Sequence, residues 1–374
     1  MNFDITEEQQ LVKDSVSRFV QDNYELEARI AASAKNPGYS EDHWKTFAEL
    51  GWLGLPFSEE DGGFGGSAID TMLMFEEFGK GLVLEPYLAS VVLGGGALRH
   101  GANQAQKTEL IGKLAAGEIK LALAYSELQS RFDLHDVTCS ARADGDNYVL
   151  NGAKSMVLNA ETADHIIVSA RTSGGQVDKA GISLFLVPRD TEGLDVQSFP
   201  TVDGLRAAEI KLADVKVAAS NLLGTEGSGF DTLNAAINDG ILAIAAEALG
   251  GMEVLYKDTV AYTQEREQFD HPMSDFQVVQ HRLVEMFMEY EQCKSLLYRA
   301  TLEQAQNAPT AQRTIHALKH MVGKTGYFIG ESAVQLHGGM GMTEELRVAH
   351  YFKRLLVIDA QFGNSDHHLE LFAA

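Results

Sequence analysis

Basic residues are scarce in this chain: 30 lysines and arginines stand against 53 aspartates and glutamates, a net charge of −23 over 374 residues. So acidic a surface repels polyanions, and no local basic stripe offsets it, which excludes nucleic acid as a partner. Cysteine is scarcer still. Cys139 and Cys293 cannot build a disulfide framework for a chain of this length, which suits a reducing cytoplasm. Long apolar runs are also missing, since glycine or a charge interrupts each one well before bilayer length. The opening Met1-Asn-Phe-Asp4 has neither a basic region nor an apolar core, so neither export nor membrane anchoring is expected. No short repeat, low-complexity tract or Ser/Pro-rich linker interrupts the chain. No GxGxxG follows a strand, so a dinucleotide would have to bind by a geometry other than the Rossmann one.

What is present is a globular composition, 45% hydrophobic and 22% charged, in a chain too long for one core. Its periodicity changes twice. In residues 1–118 a capping box at Thr6-Glu-Glu-Gln9 precedes Leu11, Val12, Val16, Phe19 and Val20 at helical spacing. Further helices are expected from Trp44 to Leu53, Ile69 to Phe78 and Lys107 to Ala115, with a loop at Pro56 and Gly62-Gly-Phe-Gly-Gly66. Residues 119–226 carry short alternating runs at Lys120 to Tyr125, Asn147 to Asn151, His165 to Arg171, Ile182 to Pro188 and Ala208 to Leu212. Asp-Gly and Gly-Gly turns separate them, as in a small antiparallel barrel or sandwich. Residues 227–374 read as four helices, near 229–264, 275–306, 310–336 and 344–360, which suggests a bundle. The expected fold class is therefore α+β: a helical domain, a β domain and a helical bundle.

Two motifs of the last block carry chemistry. Arg266-Glu-Gln-Phe269 falls at a helix end, before a turn through His271-Pro272 and a new helix opening at Asp275-Phe276-Gln277. Arginine presents a planar fork suited to pyrophosphate, and Gln268, Gln277 and the free amides of a helix start can serve further oxygens. The second motif is Gln335-Leu-His-Gly-Gly-Met-Gly-Met-Thr-Glu-Glu345, where Gly338, Gly339 and Gly341 stop a helix and admit close approach of a ligand. Alone, a single Arg is usually a solvated side chain and Gly-Gly usually a cap. Together, in this order, they resemble the two flavin-pyrophosphate signatures of the acyl-CoA dehydrogenase family. The likeness extends through Gly51-Trp-Leu-Gly-Leu-Pro56, Asn147-Tyr-Val-Leu-Asn-Gly-Ala-Lys154 and Leu222-Leu-Gly-Thr-Glu-Gly-Ser-Gly229.

The resemblance implies the family's N-terminal helical, middle β and C-terminal four-helix architecture, FAD as cofactor and an acyl-CoA thioester as substrate. It also implies an electron-transferring flavoprotein as acceptor and at least a dimer, since the two motifs embrace a neighbouring subunit's FAD. The family's chemistry removes the α-proton of the thioester with a carboxylate while a β-hydride leaves to the flavin. That carboxylate must be desolvated, and the thioester carbonyl polarised.

Departures from the family pattern are specific. Counting from Gln335 without a gap, the family's Tyr-Glu-Gly-Thr segment falls on Gln361-Phe-Gly-Asn364, so Phe362 stands where the base belongs. Some members carry their glutamate on the first long bundle helix; that site falls near Asn238-Asp-Gly240, where Asp239 is adjacent and one methylene shorter. A solvated helix carboxylate is the competing reading of Asp239. The flavin loop Thr-Glu-Pro-x-x-Gly-Ser-Asp corresponds to Ser126-Glu-Leu-Gln-Ser-Arg-Phe-Asp133, which keeps the hydroxyl of Ser126 but brings in Leu128, Arg131 and Phe132. The flavin-contacting Trp-Ile-Thr appears as Met156-Val-Leu158.

The half of the FAD site that serves a neighbour is thus kept and the chain's own half altered. The tail Phe362-Gly-Asn-Ser-Asp-His-His368 is similar to small subunits of heteromeric acyl-CoA dehydrogenases, such as those labelled pimeloyl-CoA dehydrogenase small subunit. Both features imply a homo- or hetero-tetramer with a related subunit that bears the glutamate. Two other readings remain: a homo-oligomeric flavoenzyme, oxygenase included, with Asp239 or His367 as base, and a non-catalytic subunit. Asp366, His367 and His368 are read as a capping Asp with two partly exposed His rather than a metal site. His337 is either near the pyrophosphate or packed, and Met286 to Met288 are read as core.

Overall fold

The computed structural model describes residues 5–374, so Met1-Asn-Phe-Asp4 lies outside it. The chain divides into two compact units built from separated segments. One comprises Met1–Ala31, Ala68–Val83 and Ile241–Ala374, the other Ala32–Ser67 and Leu84–Gly240.

The α-helices are α1 (Glu7–Asn23), α2 (Leu26–Ser33), α3 (Glu41–Glu49), α4 (Ala68–Gly81), α5 (Gly95–Gly101), α6 (Gln104–Ala115), α7 (Gly229–Glu265), α8 (Gln277–Ala305), α9 (Ala311–His337), α10 (Arg347–Ala360) and α11 (Ser365–Ala373). At α1 the expected capping box is present, with the Thr6 hydroxyl accepting from Gln9 N and the Gln9 side chain accepting from Thr6 N. The helix expected from Trp44 to Leu53 ends instead at Glu49. Gly51 takes a left-handed conformation (φ 75°), and Trp52–Gly54 form a separate 3₁₀ turn.

In the first unit, α4 and α7 cross with their backbones in contact. A Cβ on Gly79 would stand 2.0 Å from the Glu247 carbonyl oxygen, and one on Gly250 would stand 2.0 Å from that of Glu76. Beside this crossing, Arg354 of α10 holds Glu247 with two donors, Nε to Oε1 at 2.6 Å and Nη2 to Oε2 at 2.7 Å. Both side chains are nearly sealed from solvent, and a bidentate pair of this kind costs about 3–5 kcal/mol to break from one side.

The second unit carries an eight-stranded sheet: β1 (Leu121–Ala124), β2 (Ser140–Asp144), β3 (Asn147–Leu158), β4 (His165–Arg171), β5 (Ile182–Pro188), β6 (Leu194–Pro200), β7 (Arg206–Ala218) and β8 (Leu222–Leu223). The order is β6-β7-β3-β2-β4-β5-β8, with β1 beside β4. The Asp144↔Asn147 pair leaves Gly145 and Asp146 as a two-residue hairpin loop, the expected Asp-Gly turn, with Gly145 at φ 61°. The sheet is not wholly antiparallel: β1 runs parallel to β4, because the β2–β3 hairpin intervenes and supplies the crossover. Its core is apolar, built on Leu150, Val168, Phe185, Ile210 and Val215. One buried ion pair sits beside it, where Lys154 Nζ donates to Glu127 Oε1 (2.7 Å) and Ser169 Oγ (2.9 Å).

Glu85, also in the second unit, is a buried carboxylate with one oxygen short of partners. Its Oε1 accepts from Ser40 N at the start of α3 and lies 3.2 Å from His43 Nδ1. Burial pushes the carboxyl up to about 7, against the lowering from nearby backbone amides. A carboxyl raised above its ordinary value of 4.5 contributes stability that is complete below that value and is lost as pH rises toward 7. Glu85→Gln is therefore expected to raise the Tm at pH 8, by the equivalent of on the order of 3 kcal/mol. Near pH 4.5 it should give no gain. Thermal unfolding at the two pH values checks this, and an equal effect at both would show that folding does not raise the Glu85 carboxyl.

Candidate functional site

The end of α7 leads into the arginine motif. Arg266 N donates to Tyr262 O, after which β9 (Glu267–Gln268) and β10 (His271–Pro272) form a hairpin in the register His271↔Gln268. The two loop residues, Phe269 (φ 56°) and Asp270 (φ 64°), are both left-handed. That conformation favours Asn-Gly and disfavours a bulky side chain. Phe269 is nonetheless placed there, 87% exposed. A 3₁₀ turn, Met273–Asp275, separates the hairpin from α8, which opens at Gln277 with no side-chain cap on its first amides. Gln268 spends its amide locally on Glu267 O (2.7 Å), while the exposed Arg266 guanidinium has no hydrogen-bond or ion-pair partner among the described residues.

The glycine motif closes α9. Gly338 (φ 64°, ψ −144°) occupies a region open essentially to glycine alone, and nothing lies within 4 Å of a Cβ built on Gly338 or Gly339. Gln335 is exposed on the last turn. The structure brings the two motifs together, since the Tyr262 and His337 rings stack at 4.3 Å, one helical turn before Arg266 and one residue before Gly338. His337 itself is buried, with Nδ1 donating to Ala333 O, so its part is packing. Nothing in the sequence had singled out Tyr262.

Past α10 the chain turns at Phe362 (φ 61°) and Gly363 (φ 108°). Three side chains hold this turn. Lys319 of α9, wholly buried, donates to the carbonyls of Asp359 (2.8 Å) and Gly363 (2.6 Å), and burial pushes its ammonium down to about 8. His368 Nε2 donates to Phe362 O (2.9 Å), which leaves His368 Nδ1 to accept from His316 Nδ1 (3.0 Å). Asn364 caps α11 by accepting from His367 N (3.0 Å). The cap is thus Asn364 rather than Asp366, and His368 is buried rather than partly exposed. Lys319 was legible as an anomaly: it lies among Ile315, Leu318 and Val322 on the core face of α9.

In the second unit, Asp239 is answered by the Arg99 guanidinium, Nη2 at 2.6 Å, and the His100 ring, Nε2 at 2.9 Å. Burial alone would raise its carboxyl, but the His100 bond and the Arg99 charge outweigh that and hold it below the ordinary range. A carboxylate so stabilised is a poor proton acceptor, which weighs against Asp239 as a catalytic base. Glu127 is likewise committed. Against the raising effect of burial, Lys154 and the Thr138 hydroxyl drive it down to about 2. In the same loop Ser126 O accepts from Ser155 N (2.9 Å), while the Ser126 hydroxyl has no partner among the described residues. Leu128, Phe132 and Met156 are exposed around it, with Met156 (φ 54°) on the bulge of β3, and Leu158 is half-buried. No group of three or more His, Cys, Asp or Glu among the described residues could hold a metal.

The acyl-CoA dehydrogenase N-terminal, middle and C-terminal domain models match residues 6–118, 122–215 and 227–374. A probable acyl-CoA dehydrogenase of Bacillus subtilis, YngJ, is 33% identical over 98% of this chain and 97% of its own length. Butyryl-CoA dehydrogenase from Megasphaera elsdenii superposes with a TM-score of 0.91 at 26% identity, covering 100% of this chain and 99% of that one. The FAD complex of PigA superposes at 0.92 with 27% identity, covering 100% and 98%. FAD is the cofactor of this fold family, and an arginine fork without a partner among the described residues and an open Gly338-Gly339 backbone are of a chemistry that suits a pyrophosphate.

Asp239→Asn is expected to cost about 1–3 kcal/mol of stability through its weakened bonds to Arg99 and His100. The acidic limb of any pH–rate profile, the one that a catalytic base produces, should stay in place. Loss of that limb would identify Asp239 as the base after all.

Proposed function

The chain belongs to the acyl-CoA dehydrogenase family, and from that premise we propose that it works in a heteromeric complex, completing FAD binding while a glutamate-bearing partner supplies the catalytic carboxylate. The carrying observation is Phe362 on its clamped turn. A phenyl ring cannot take a proton, and the nearest substitute by alignment, Asp239, is neutralised by Arg99 and His100. When bound, FAD would accept the hydride of an α,β-dehydrogenation. This chain's own groups bind and orient: Arg266 with Gln268, Gln277 and Gln335 about the pyrophosphate, Phe269 against the neighbouring subunit, and Gly338 and Gly339 giving room. Ser126 offers a free hydroxyl toward the flavin loop.

An assembly is supported by surface that is costly to leave in water. Along α8, Val278, Val284, Phe287 and Met288 are 77%, 55%, 46% and 55% exposed, so of the two methionines expected as core only Met286 is buried. An apolar stripe of this kind on one helix calls for a covering subunit, here a related chain. The reading extends to an acyl-CoA thioester as substrate, an electron-transferring flavoprotein as acceptor, a cytoplasmic setting and domains at 1–118, 119–226 and 227–374. The helix apolar and long enough to cross a membrane, Gly229–Glu265, has 89% of its apolar window buried in the protein.

Native mass and flavin count per subunit test the reading. The chain purified alone is expected to hold little FAD, and to gain it on addition of a glutamate-bearing relative. Full occupancy in a homotetramer that oxidises acyl-CoA would sink it. In the assembly that binds FAD, Arg266→Ala should weaken retention by the loss of charge-assisted contacts worth roughly 1.5–3 kcal/mol each. Unchanged flavin content would remove Arg266 from the site. Phe362→Glu is expected to restore little acyl-CoA oxidation to the chain alone, because Phe132 and Leu158 alter its own flavin half. Substantial turnover by that variant would show the pocket to be intact.

A further inference from the structure

We propose that a histidine pair, His316 of α9 against His368 of α11, is an acid-sensitive latch that holds the C-terminal helix α11 to α9 and releases it as the medium turns acidic. The latch is a property of this chain alone and does not depend on the FAD and acyl-CoA reading.

The pair has room for one proton between its rings. His368 is 2% exposed, and its Nε2–H is spent on Phe362 O (2.9 Å), so its Nδ1 offers a lone pair. His316 Nδ1 fills that lone pair from 3.0 Å, with the ring centroids 5.2 Å apart. One added proton turns the pair into a cation beside the buried Lys319 ammonium. A second sets N–H against N–H and breaks the contact. The surroundings oppose the first charge as well as the second. From α9 come Lys319, which donates to Asp359 O and Gly363 O, His320, whose Nδ1 donates to Ser365 O (2.9 Å), and Arg313, which donates to Phe372 O (3.3 Å). On α11 itself are Asp366, Glu370 and His367, whose ring lies 5.4 Å from that of His368. The end of α10 contributes Asp359, whose carboxylate is spent on Ser365 N (3.0 Å). Among the described residues, neither ring of the pair is bonded to a carboxylate that would welcome a charge. Burial accordingly pushes His368 down to about 3, against the pull of Phe362 O and with Lys319, His316 and His367 adding to the lowering. Burial and His367 lower His316 too. Rings held below their ordinary 6.5 take up protons once freed, so docking is complete above that pH and is lost progressively as the pH falls below it.

Hydrogen exchange of the α11 amides in the full chain, corrected for the intrinsic rate at each pH and set against the amides of α7, tests the latch. Wild type is expected to lose about tenfold in α11 protection from about pH 6 to about pH 5, the slope of one proton taken up on release, while α7 keeps its own. His368→Gln supplies one donor and one acceptor without a titrating ring, and should cut that loss to about twofold. His320→Gln, outside the pair, should leave the tenfold loss in place. Unchanged α11 protection in wild type overturns the latch, and so does an equal fall in α7, which would be acid unfolding of the whole unit. A fall that His368→Gln leaves undiminished, or that His320→Gln abolishes, overturns it as well. Should His368→Gln fail to fold, the wild-type comparison of α11 with α7 still decides.

Discussion

The backbone crossing of α4 and α7 at Gly79 and Gly250 is the constraint on which both functional ends of the helical unit depend. Two helices can approach this closely only where neither carries a Cβ at the contact, and both glycines would drive a methyl group onto the partner's carbonyl oxygen. Glu247, whose carbonyl lies at the crossing, turns its carboxylate to Arg354 and so sets α10 against α7. The Tyr351 hydroxyl of α10 also donates to the Lys80 carbonyl of α4. With three helices registered in this way, their ends follow. The C-terminus of α7 delivers Arg266, and that of α10 delivers Phe362. A slip of one helical turn, about 5.4 Å, would displace either group by more than a ligand contact tolerates.

Much of this was legible in residue order, and the parts that were not share a physical reason. The long bundle helices announce themselves because one face is apolar and the other is not. The segment Leu88–Gly94, a π-helical turn leading into α5, is buried at every residue, so it offers no contrast of faces to read. Strand β2 fails for the opposite reason, with four of its five residues exposed and one buried. On α8, Met286, Phe287 and Met288 are equally apolar, yet only Met286 faces inward. Composition records that a side chain will be covered without saying whether its own chain does the covering.

The site was half legible in the same sense. Motif spacing picked out Arg266, Gln335 and the glycines, whose chemistry is written in residue type. It did not pick out Tyr262 or Lys319, and it took His368 as partly exposed where the fold buries it; these residues matter through what they touch. A lysine at a core position of α9 was the one signal available for the clamp. Its explanation, the backbone carbonyls of Asp359 in α10 and Gly363 in the left-handed turn, 40 and 44 residues away, needs the fold.

Which polar groups are answered and which are not bears on what the chain can do. On the segments where proton transfer would be sought, the carboxylates are satisfied: Asp239 by Arg99 and His100, Glu127 by Lys154. Both are held low, which is the wrong direction for a base that must take a proton from carbon. The groups left unmet are of another kind. Among the described residues, Arg266 is a cation without a counter-ion in a chain of net charge −23, Gln361 is an amide without a partner, and Phe269 is an aromatic ring in water on a strained turn. A fork of positive charge and an exposed apolar ring are groups whose chemistry suits the proposed hold on a ligand and a neighbouring subunit. None of them moves a proton, which is why the proposed assembly draws its carboxylate from a partner.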